Sequence, residues 1–384
     1  MKRIYLDNNA TTAVDPQVLE AMLPSFKEHF GNPSSGHRFG EAAQRAIDRA
    51  RQQVADLVGN RPEEIFFTGG GTEANNFALA GVMANHPGQR LAVSAIEHAS
   101  VLAPARALAG QGWGLDVIPV DEGGRVSPEA VAEVLTAQTR LVSVMAANNE
   151  TGVVQDFAAI GEVARRGGAV FHCDAVQAAG KLSVDFAAAG AQLVSLSAHK
   201  LYGPKGVGAL IVEPGVELRP LLHGGGQERG MRGGTENVAG IVGFGMAAEL
   251  ALREWPERTA HCRQLQHHFE QRLARDLPEI TIVAQQVERL ANTAMILMPG
   301  IDGETLLMQL DQAGIAVSSG SACSSASTDP SHVLMAMGLA GETGRSAVRV
   351  SFGRDNTLAE VDALLDGLGA LLKQVRGLSL TGWA

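Results

Sequence analysis

The sequence predicts an α/β fold, in which a mainly parallel sheet covered by helices forms a large domain and a smaller α+β domain follows. Short apolar runs alternate with amphipathic segments at the spacing of βα units. Several runs, such as residues 141–145, lack the polar alternation of half-exposed strands, which is typical of parallel strands covered on both faces. The 384 residues, of which 45% are apolar, can bury a large core and are long enough for two domains.

The domain boundary is predicted at the start of a helix that spans about residues 257–276. On this interpretation the large domain covers residues 13–256. The small domain combines residues 257–384 with residues 1–12, and it carries a loop of small polar residues at about 318–332.

The charge balance argues against polyanionic partners. The chain carries 41 acidic and 31 basic residues, for a net charge of -10, so a general affinity for nucleic acid or anionic lipid is not expected. No apolar run reaches the length of a membrane-spanning helix, and the first residues lack the apolar segment of a signal peptide. These features predict a cytoplasmic enzyme with small molecules or proteins as partners.

The first strongly predicted elements form a helix, a strand and a second helix. Residues 41–58 have a helical period that ends at Gly59, and residues 64–68 follow as a strand. Gly71 and Thr72 then open another helix, whose free N–H groups and hydroxyl could hold a phosphate. An ordinary glycine turn would give the same local pattern.

Two further strands lead to side chains suited to ligand binding. Residues 90–94 lead to His98, whose imidazole could stack on a cofactor ring or cap the next helix. Residues 141–145 lead to Asn149, which could hydrogen-bond a ligand or belong to a turn. Both positions therefore keep a structural alternative.

The apolar strand before Asp174 indicates a buried carboxylate at a strand end. A buried aspartate needs a cationic partner, and a protonated pyridine nitrogen would serve. Gln177 follows about one helical turn later. The alternative is that Asp174 caps a helix. Cys173 alternates with Asp174 along the strand and is interpreted as a core residue.

A strand at residues 194–197 delivers His199 and Lys200 into a turn, because Gly203 and Pro204 prevent a helix from starting there. Partial burial beside His199 would disfavour the charged amine and leave Lys200 able to attack an aldehyde. The alternative is a surface lysine in a loop.

The three cysteines have no short paired spacing, which argues against structural zinc and a closed disulfide framework. Cys323 lies in a run of small polar residues. A mobile thiolate there could reach both a site and an external acceptor, although an ordinary loop cysteine fits the same run. Cys262 lies beside His261 on a predicted helix that also carries His268, and we interpret this segment as exposed surface rather than a metal site.

Several segments together resemble the fold-type I enzymes that use pyridoxal 5′-phosphate, in their class V branch. Within that branch the sequence is similar to the cysteine desulfurases of the NifS and IscS type, and its NNATT and RGGTEN segments are closer to the NifS type. The matching segments span nearly the whole chain: YLDNNATT (5–12), FGNPSS (30–35), GGTEANN (70–76), EHAS (97–100), NNETG (148–152), DAVQ (174–177), SAHKLYGPKG (197–206), RGGTEN (232–237) and SSGSAC (318–323).

The resemblance implies a role for each candidate residue. Lys200 would bind the cofactor covalently and act as the base at the substrate Cα, Asp174 would pair with the pyridine nitrogen, and His98 would stack on the ring. Arg349 would bind the substrate carboxylate, with Asn149 as a second substrate-binding residue. The remaining cofactor contacts implied are Gln177 near the ring hydroxyl, Gly71, Thr72, Ser197 and His199 at the phosphate, and Thr235 from a partner subunit.

The resemblance also implies a reaction and its partners. A sulfurtransferase would convert L-cysteine to L-alanine and carry the sulfur as a persulfide on Cys323, for iron–sulfur cluster assembly and, from the NifS likeness, for nitrogenase. A homodimer and a scaffold or other sulfur-acceptor protein are expected, with no metal site beyond transient contact of Cys323 with a cluster. The alternatives are a selenocysteine lyase, another class V enzyme such as an aminotransferase, and a non-catalytic scaffold.

Overall fold

The computed structural model describes residues 3–183, 185–186, 188–319 and 330–381, with side chains up to residue 374. The strands in these residues are β1 (Ile4–Tyr5), β2 (Ile65–Thr68), β3 (Arg90–Ser94), β4 (Gly114–Ile118), β5 (Thr139–Ser143), β6 (Val170–Asp174), β7 (Leu193–Ser197), β8 (Gly208–Val212), β9 (Thr281–Ile282), β10 (Thr293–Leu297), β11 (Ile315–Ala316), β12 (Ser318–Ser319) and β13 (Ala347–Ser351). The helices are α1 (Pro16–Met22), α2 (Pro24–Lys27), α3 (Arg38–Val58), α4 (Gly71–Met83), α5 (Ala99–Gly110), α6 (Pro128–Val134), α7 (Phe157–Arg166), α8 (Val238–Asp276), α9 (Gly303–Gln312), α10 (His332–Ala336), α11 (Gly341–Arg345) and α12 (Leu358–Thr381).

A seven-stranded sheet forms the centre of the larger part of the molecule. Its strand order is β2-β8-β7-β6-β5-β3-β4. β8 runs antiparallel to β2 and β7, and the other neighbouring pairs are parallel. The predicted α/β class with a mainly parallel sheet is therefore confirmed. Because β2, β3, β5, β6 and β7 run in the same direction, their carboxyl ends meet along one edge of the sheet.

Both faces of this sheet are buried, which explains why its strands read as continuous apolar runs. Along β2, Ile65 and Phe67 enter one hydrophobic core, and Phe66 between them enters another. The first core also takes side chains from α3, α7 and α8, and the second takes side chains from α4 and α5. The sheet is therefore a middle layer between two layers of helices.

A four-stranded antiparallel sheet of order β12-β13-β10-β9 forms the centre of a second part, which has its own hydrophobic core. β1 pairs in parallel with β11, and Leu6 packs into this second core. The amino-terminal residues therefore join elements from the last third of the chain.

Helix α8 contributes to both parts. Its first half, with Phe244, packs in the first core of the large sheet, and its second half, with Phe269, packs in the core of the small sheet. The predicted start of this helix at residue 257 is wrong, because it begins at Val238 and runs for 39 residues. The predicted domain boundary at residue 256 therefore lies inside a continuous helix, and that division stays a prediction.

The predicted exposure of the segment around Cys262 is wrong. Cys262 is only 7% exposed, and burial raises the pKa of its thiol to about 11. His261 Nε2 lies 2.9 Å from the carbonyl oxygen of Asn356, and His268 Nε2 lies 2.6 Å from Asp362 Oδ1. This face of α8 is covered because it packs against α12 and the turn before it, which local sequence does not reveal.

Candidate active site

A cavity of about 580 Å³ opens at the edge where the carboxyl ends of the parallel strands meet. It brings together predicted residues from separate segments of the chain: Gly71, Thr72, His98, Asn149, Asp174, Gln177, Ser197, His199, Lys200 and Arg349. Thr235 of the same chain is exposed and lies elsewhere, and Cys323 lies outside the described residues. The roles of these residues stay proposals, and their shared location is the structural observation.

Lys200 ends a 3₁₀ turn, Ala198–Lys200, that directly follows β7. Its Nζ donates to the carbonyl oxygen of Asn9 at 2.5 Å and to that of Ala10 at 2.7 Å. Tyr202 then adopts a φ of 64°, in the left-handed region, so no longer helix continues from the turn. The amine is thus held at the cavity by backbone carbonyls of the amino-terminal segment.

Asp174 ends β6 and is 5% exposed. Its Oδ1 accepts a hydrogen bond from the backbone N–H of Val176 at 3.0 Å, and its Oδ2 accepts one from Asn75 Nδ2 at 2.7 Å. Within the described part of the chain, no lysine or arginine forms an ion pair with Asp174. The carboxylate both fixes the turn after β6 and lines the cavity, where a protonated ring nitrogen would compensate its buried charge.

His98 caps helix α5, as the structural alternative in the sequence predicted, and it also lines the cavity. Its Nδ1 accepts from the backbone N–H of Ser100 at 3.1 Å, so the ring proton lies on Nε2 in the neutral form. Burial lowers the pKa of His98, although the charge of Asp174 acts in the opposite direction. The hydrogen bond to the start of α5 fixes the orientation of the imidazole ring. A neutral ring held in this way is suited to stacking on a flat ligand.

Helix α4 begins at the cavity, in a close backbone approach that only glycine permits. Gly70 has a φ of 146°. A Cβ added to Gly71 would lie 2.9 Å from a methyl carbon of Val176 and 3.3 Å from Cβ of Ser197. The first N–H groups of this 13-residue helix therefore lie close to β7, in the arrangement that binds anions.

His199 lies on the turn that also carries Lys200. Its Nδ1 is 3.1 Å from Thr11 Oγ1. Burial, together with the charges of Lys200 and Lys205, lowers the pKa of His199 to about 4. The imidazole is therefore neutral near pH 7 and can take part in hydrogen bonds without adding charge.

Arg349 on β13 reaches the cavity from the second part of the molecule. Its Nη2 donates to Asp7 Oδ1 at 2.7 Å, and its Nη1 donates to the carbonyl oxygen of Asn149 at 3.0 Å. Its buried Nε has no hydrogen-bond partner among the described residues. An unsatisfied donor on a buried guanidinium fits a carboxylate ligand.

Three polar residues at the site were not singled out from the sequence, although each lies in a segment that resembles the family. Asn75 in GGTEANN bridges Asp174 and Ser100. Glu97 in EHAS is fully buried, and Asn9 in YLDNNATT donates to the carbonyl of Asn149. Local sequence gives no reason to prefer these residues over their neighbours, because most of their partners are distant in the chain, although Glu97 also contacts the nearby Ser94.

Glu97 is held as a neutral acid behind His98. Its Oε1 accepts from Ser94 Oγ at 2.5 Å and from the backbone N–H of Met145 at 2.7 Å. Burial, with a further contribution from the charge of Asp174, raises the pKa of Glu97 to about 8. The carboxyl group therefore keeps its proton at neutral pH in the folded protein.

Replacing Glu97 with glutamine is expected to flatten the pH dependence of stability. Between its unfolded pKa of 4.5 and its folded pKa of about 8, the folded chain holds a proton that the unfolded chain releases, so the free energy of unfolding falls as the pH rises. Glutamine removes this contribution of about 1 kcal/mol per pH unit. Urea unfolding at pH 5 to 8 measures it. An unchanged slope, or the same change in the exposed-site control Glu122→Gln, would contradict the expectation.

Comparison with known proteins identifies the family. The model of the aminotransferase class V family matches residues 4–364. The chain belongs to the class V aminotransferase family. Among its class V relatives, a protein named cysteine desulfurase IscS from Clostridium botulinum strain Hall is 44% identical over 382 residues, which cover 98% of this chain and 96% of the relative. A cysteine desulfurase from Cereibacter sphaeroides is 45% identical over 385 residues, covering 100% of this chain and 99% of the relative.

Solved structures of class V proteins agree with this assignment. A NifS-like protein superposes with a TM-score of 0.90 at 38% identity, covering 97% of this chain and 99% of the other. A NifS-like protein from Rickettsia africae ESF-5 superposes with a TM-score of 0.88 at 35% identity, with the same coverage. The predicted resemblance and fold type are confirmed. The finer assignment to the NifS type stays a prediction, because relatives with both names match.

Class V enzymes depend on pyridoxal 5′-phosphate, and the cavity has the groups that this cofactor requires. Asp174 supplies a buried carboxylate, α4 supplies a glycine-bounded helix start, and Lys200 supplies an amine at the same cavity. No helix in the described residues is long and apolar enough to cross a membrane. In the same described ranges, histidine, cysteine and acidic side chains form no group of three or more that could hold a metal ion.

Proposed function

We propose that the protein is a pyridoxal-phosphate-dependent cysteine desulfurase that converts L-cysteine to L-alanine and transfers the sulfur to Cys323. The observation that carries this proposal is the placement of Lys200, Asp174 and Arg349 around one cavity, in a chain whose whole length matches relatives named cysteine desulfurase.

Three regions of the cavity would hold the cofactor. The start of α4, with Thr72, would bind the phosphate, Asp174 would pair with the ring nitrogen, and Lys200 would bind the cofactor covalently. The neutral ring of His98 would cover one face. When bound, the cofactor withdraws electron density from the substrate Cα, which makes the Cα proton acidic and the C–S bond labile.

Two residues would act on the amino acid itself. Arg349 would bind the substrate carboxylate through its free Nε, beside Asn149, and so orient the Cα–H bond. Once released by the incoming substrate, the amine of Lys200 would take the proton from Cα and later donate it to another atom of the reacting molecule.

The sulfur transfer step is balanced without an external oxidant. The thiolate of Cys323 attacks the substrate sulfur, so a sulfur–sulfur bond forms while the carbon–sulfur bond breaks. The substrate carbon keeps the bonding electron pair and takes up a proton. One L-cysteine therefore yields one L-alanine and one persulfide on Cys323. A thiol reductant or an acceptor protein then removes the sulfur.

A homodimer is part of the proposal, because this chain does not complete its own phosphate site with Thr235. The large apolar side chains of Phe26 and Phe30 are 62% and 64% exposed, and Phe30 packs on the exposed ring of Phe39. Such an exposed aromatic cluster is typical of an interface. In the proposed dimer, Thr235 of one copy would complete the phosphate site of the other.

The proposed acceptor is a scaffold protein for iron–sulfur clusters or another sulfur carrier, and the proposed location is the cytoplasm. In a more specialised form of this role, the sulfur would serve the assembly of nitrogenase clusters. The formal charge of -10 supports protein or small-molecule partners rather than nucleic acid. The acceptor itself would be found by following persulfide sulfur from the enzyme to candidate carrier proteins.

The function is tested by incubating the purified protein, loaded with cofactor, with L-cysteine and dithiothreitol. We expect equimolar alanine and sulfide. With dithiothreitol omitted and L-cysteine limited to one equivalent per subunit, we expect alanine to form while the sulfur remains on the enzyme until dithiothreitol is added. In the presence of dithiothreitol, alanine formation without sulfide, or release of selenium from L-selenocysteine with no turnover of L-cysteine, would contradict the proposal.

A further inference from the structure

Asn9 is a buried hydrogen-bonding centre between the two parts of the molecule. It is 1% exposed and follows β1. Towards the small sheet, its backbone N–H donates to Ser351 Oγ at 3.0 Å, its Nδ2 donates to Thr293 Oγ1 at 2.8 Å, and its Oδ1 accepts from Asn292 Nδ2 at 2.9 Å. These three bonds fix Asn9 to the second part.

The same residue also contacts the wall of the cavity. Its carbonyl oxygen accepts from Gln177 Nε2 at 2.9 Å and from Lys200 Nζ at 2.5 Å. Its Nδ2 also donates to the carbonyl oxygen of Asn149 at 3.2 Å, the oxygen that accepts from Arg349 Nη1. Asn9 therefore touches residues assigned to the cofactor and to the substrate.

Lys181 joins this network from the large sheet side. Its Nζ donates to Asn9 Oδ1 at 3.1 Å and to Gln177 Oε1 at 2.8 Å. The Gln177 amide is therefore held at both ends, by Lys181 at its oxygen and by Asn9 at its nitrogen. Burial, with the charges of Lys200 and Arg349, lowers the pKa of Lys181 to about 7.

The partners dictate the orientation of the Asn9 carboxamide. A carboxamide has two N–H donors and an oxygen that accepts twice, and all four positions of Asn9 are used. The carbonyl oxygen of Asn149 can only accept and the amide nitrogen of Asn292 can only donate, so a flipped carboxamide would lose these bonds. Because every donor and acceptor position of the carboxamide is used, the side chain is held in one orientation.

We propose that Asn9 and Lys181 are positioning residues of the desulfurase reaction. Together they hold Gln177, the amine of Lys200 and the carbonyl of Asn149 in fixed relative positions across the boundary between the two parts. This inference rests on the proposed function, because Gln177 and Lys200 contribute to the reaction only if the cofactor binds in the cavity that they line. The side chains of Asn9 and Lys181 do not touch the reacting atoms in this role, and Asn9 contacts Lys200 Nζ only through its backbone carbonyl.

The test compares four holoenzymes with the wild type: Asn9→Ala, Lys181→Met, the double variant, and Asn8→Ala as the matched control. Asn8 is also buried, and its Nδ2 makes two bonds, to the carbonyl of Ser351 and to Asn356 Oδ1, without contact to the cavity residues named above. Methionine at 181 removes a buried amine while keeping a long side chain, so this variant is expected to fold even if Asn9→Ala does not.

We expect kcat for L-cysteine to fall about 100-fold in Asn9→Ala and in Lys181→Met, with little change in KM, because misplaced groups act at the chemical step. The double variant should lose no more than the worse single variant, because both act through one network. The visible absorption maximum of the bound cofactor should move in these variants, since Gln177 is displaced, and not in Asn8→Ala.

Several results would overturn the inference. One is a kcat in Lys181→Met, or in Asn9→Ala, that falls no further than in Asn8→Ala. Multiplying losses in the double variant would show that the two residues act independently. The absorption measurement needs only the bound cofactor, so it remains informative if the wild type proves inactive towards L-cysteine, which would reject the proposed function instead.

Discussion

Replacing Lys200 with alanine is expected to lower kcat/KM for L-cysteine by about 10⁴-fold or more. The amine would serve twice, as the covalent anchor of the cofactor and as the base at the substrate Cα. Its position is set by the carbonyls of Asn9 and Ala10, and no other lysine in the described part of the chain donates to these two carbonyls. Alanine formation measures the rate, and the absorption spectrum measures how the cofactor is bound.

The control for this variant is Lys27→Ala, which removes an exposed lysine at the end of α2. We expect its activity to match the wild type. If Lys200→Ala retained activity within about tenfold of the wild type, another residue would have to move the Cα proton, and the assignment of Lys200 would be wrong.

Replacing Cys323 with alanine is expected to abolish sulfide and alanine formation, a loss of about 10³-fold or more, while the absorption change on adding L-cysteine is retained. The reason is that substrate binding and Cα chemistry would use Lys200, Asp174 and Arg349, whereas only a thiolate can accept the sulfur. The two products and the spectrum are measured on the same sample.

The other two cysteines provide the matched controls. Burial raises the pKa of Cys262 to about 11 and the pKa of Cys173 well above its usual range, so neither is a ready thiolate at neutral pH. Cys262→Ala is therefore expected to keep sulfide release within about twofold of the wild type. Undiminished sulfide release from Cys323→Ala would exclude Cys323 as the acceptor.

Much of the fold follows from local sequence, because many strands are continuous apolar runs and several helices have a clear helical period and end residues. The predicted helix at 41–58 differs from α3 by only three residues at its start, since His37 caps it through a hydrogen bond from Gly40 N. The first half of α8 gave no such signal. Its residues face a core rich in alanine and glycine and include many apolar side chains, so no amphipathic period marks its start.

The candidate site was predictable to the extent that its residues end strands. Asp174 and Lys200 follow apolar runs, so their location at the sheet edge could be expected from the direction of parallel strands. Asn9 and Lys181 could not be found in this way, because the bonds that join them to the rest of the site include ones between distant positions, such as Asn9 with Ser351 and Lys181 with Asn9. Long-range polar pairing leaves no periodic trace in a sequence.

The pairing of the amino-terminal segment with late strands has a consequence for biosynthesis. The large sheet uses residues up to Val212, so it can assemble while the chain is still attached to the ribosome. Asn9 and Asp7 reach their partners Ser351 and Arg349 only after β13 has emerged. A nascent chain would therefore hold a nearly finished scaffold without a working cavity until β13 has been made, and the cofactor would be captured only after that point.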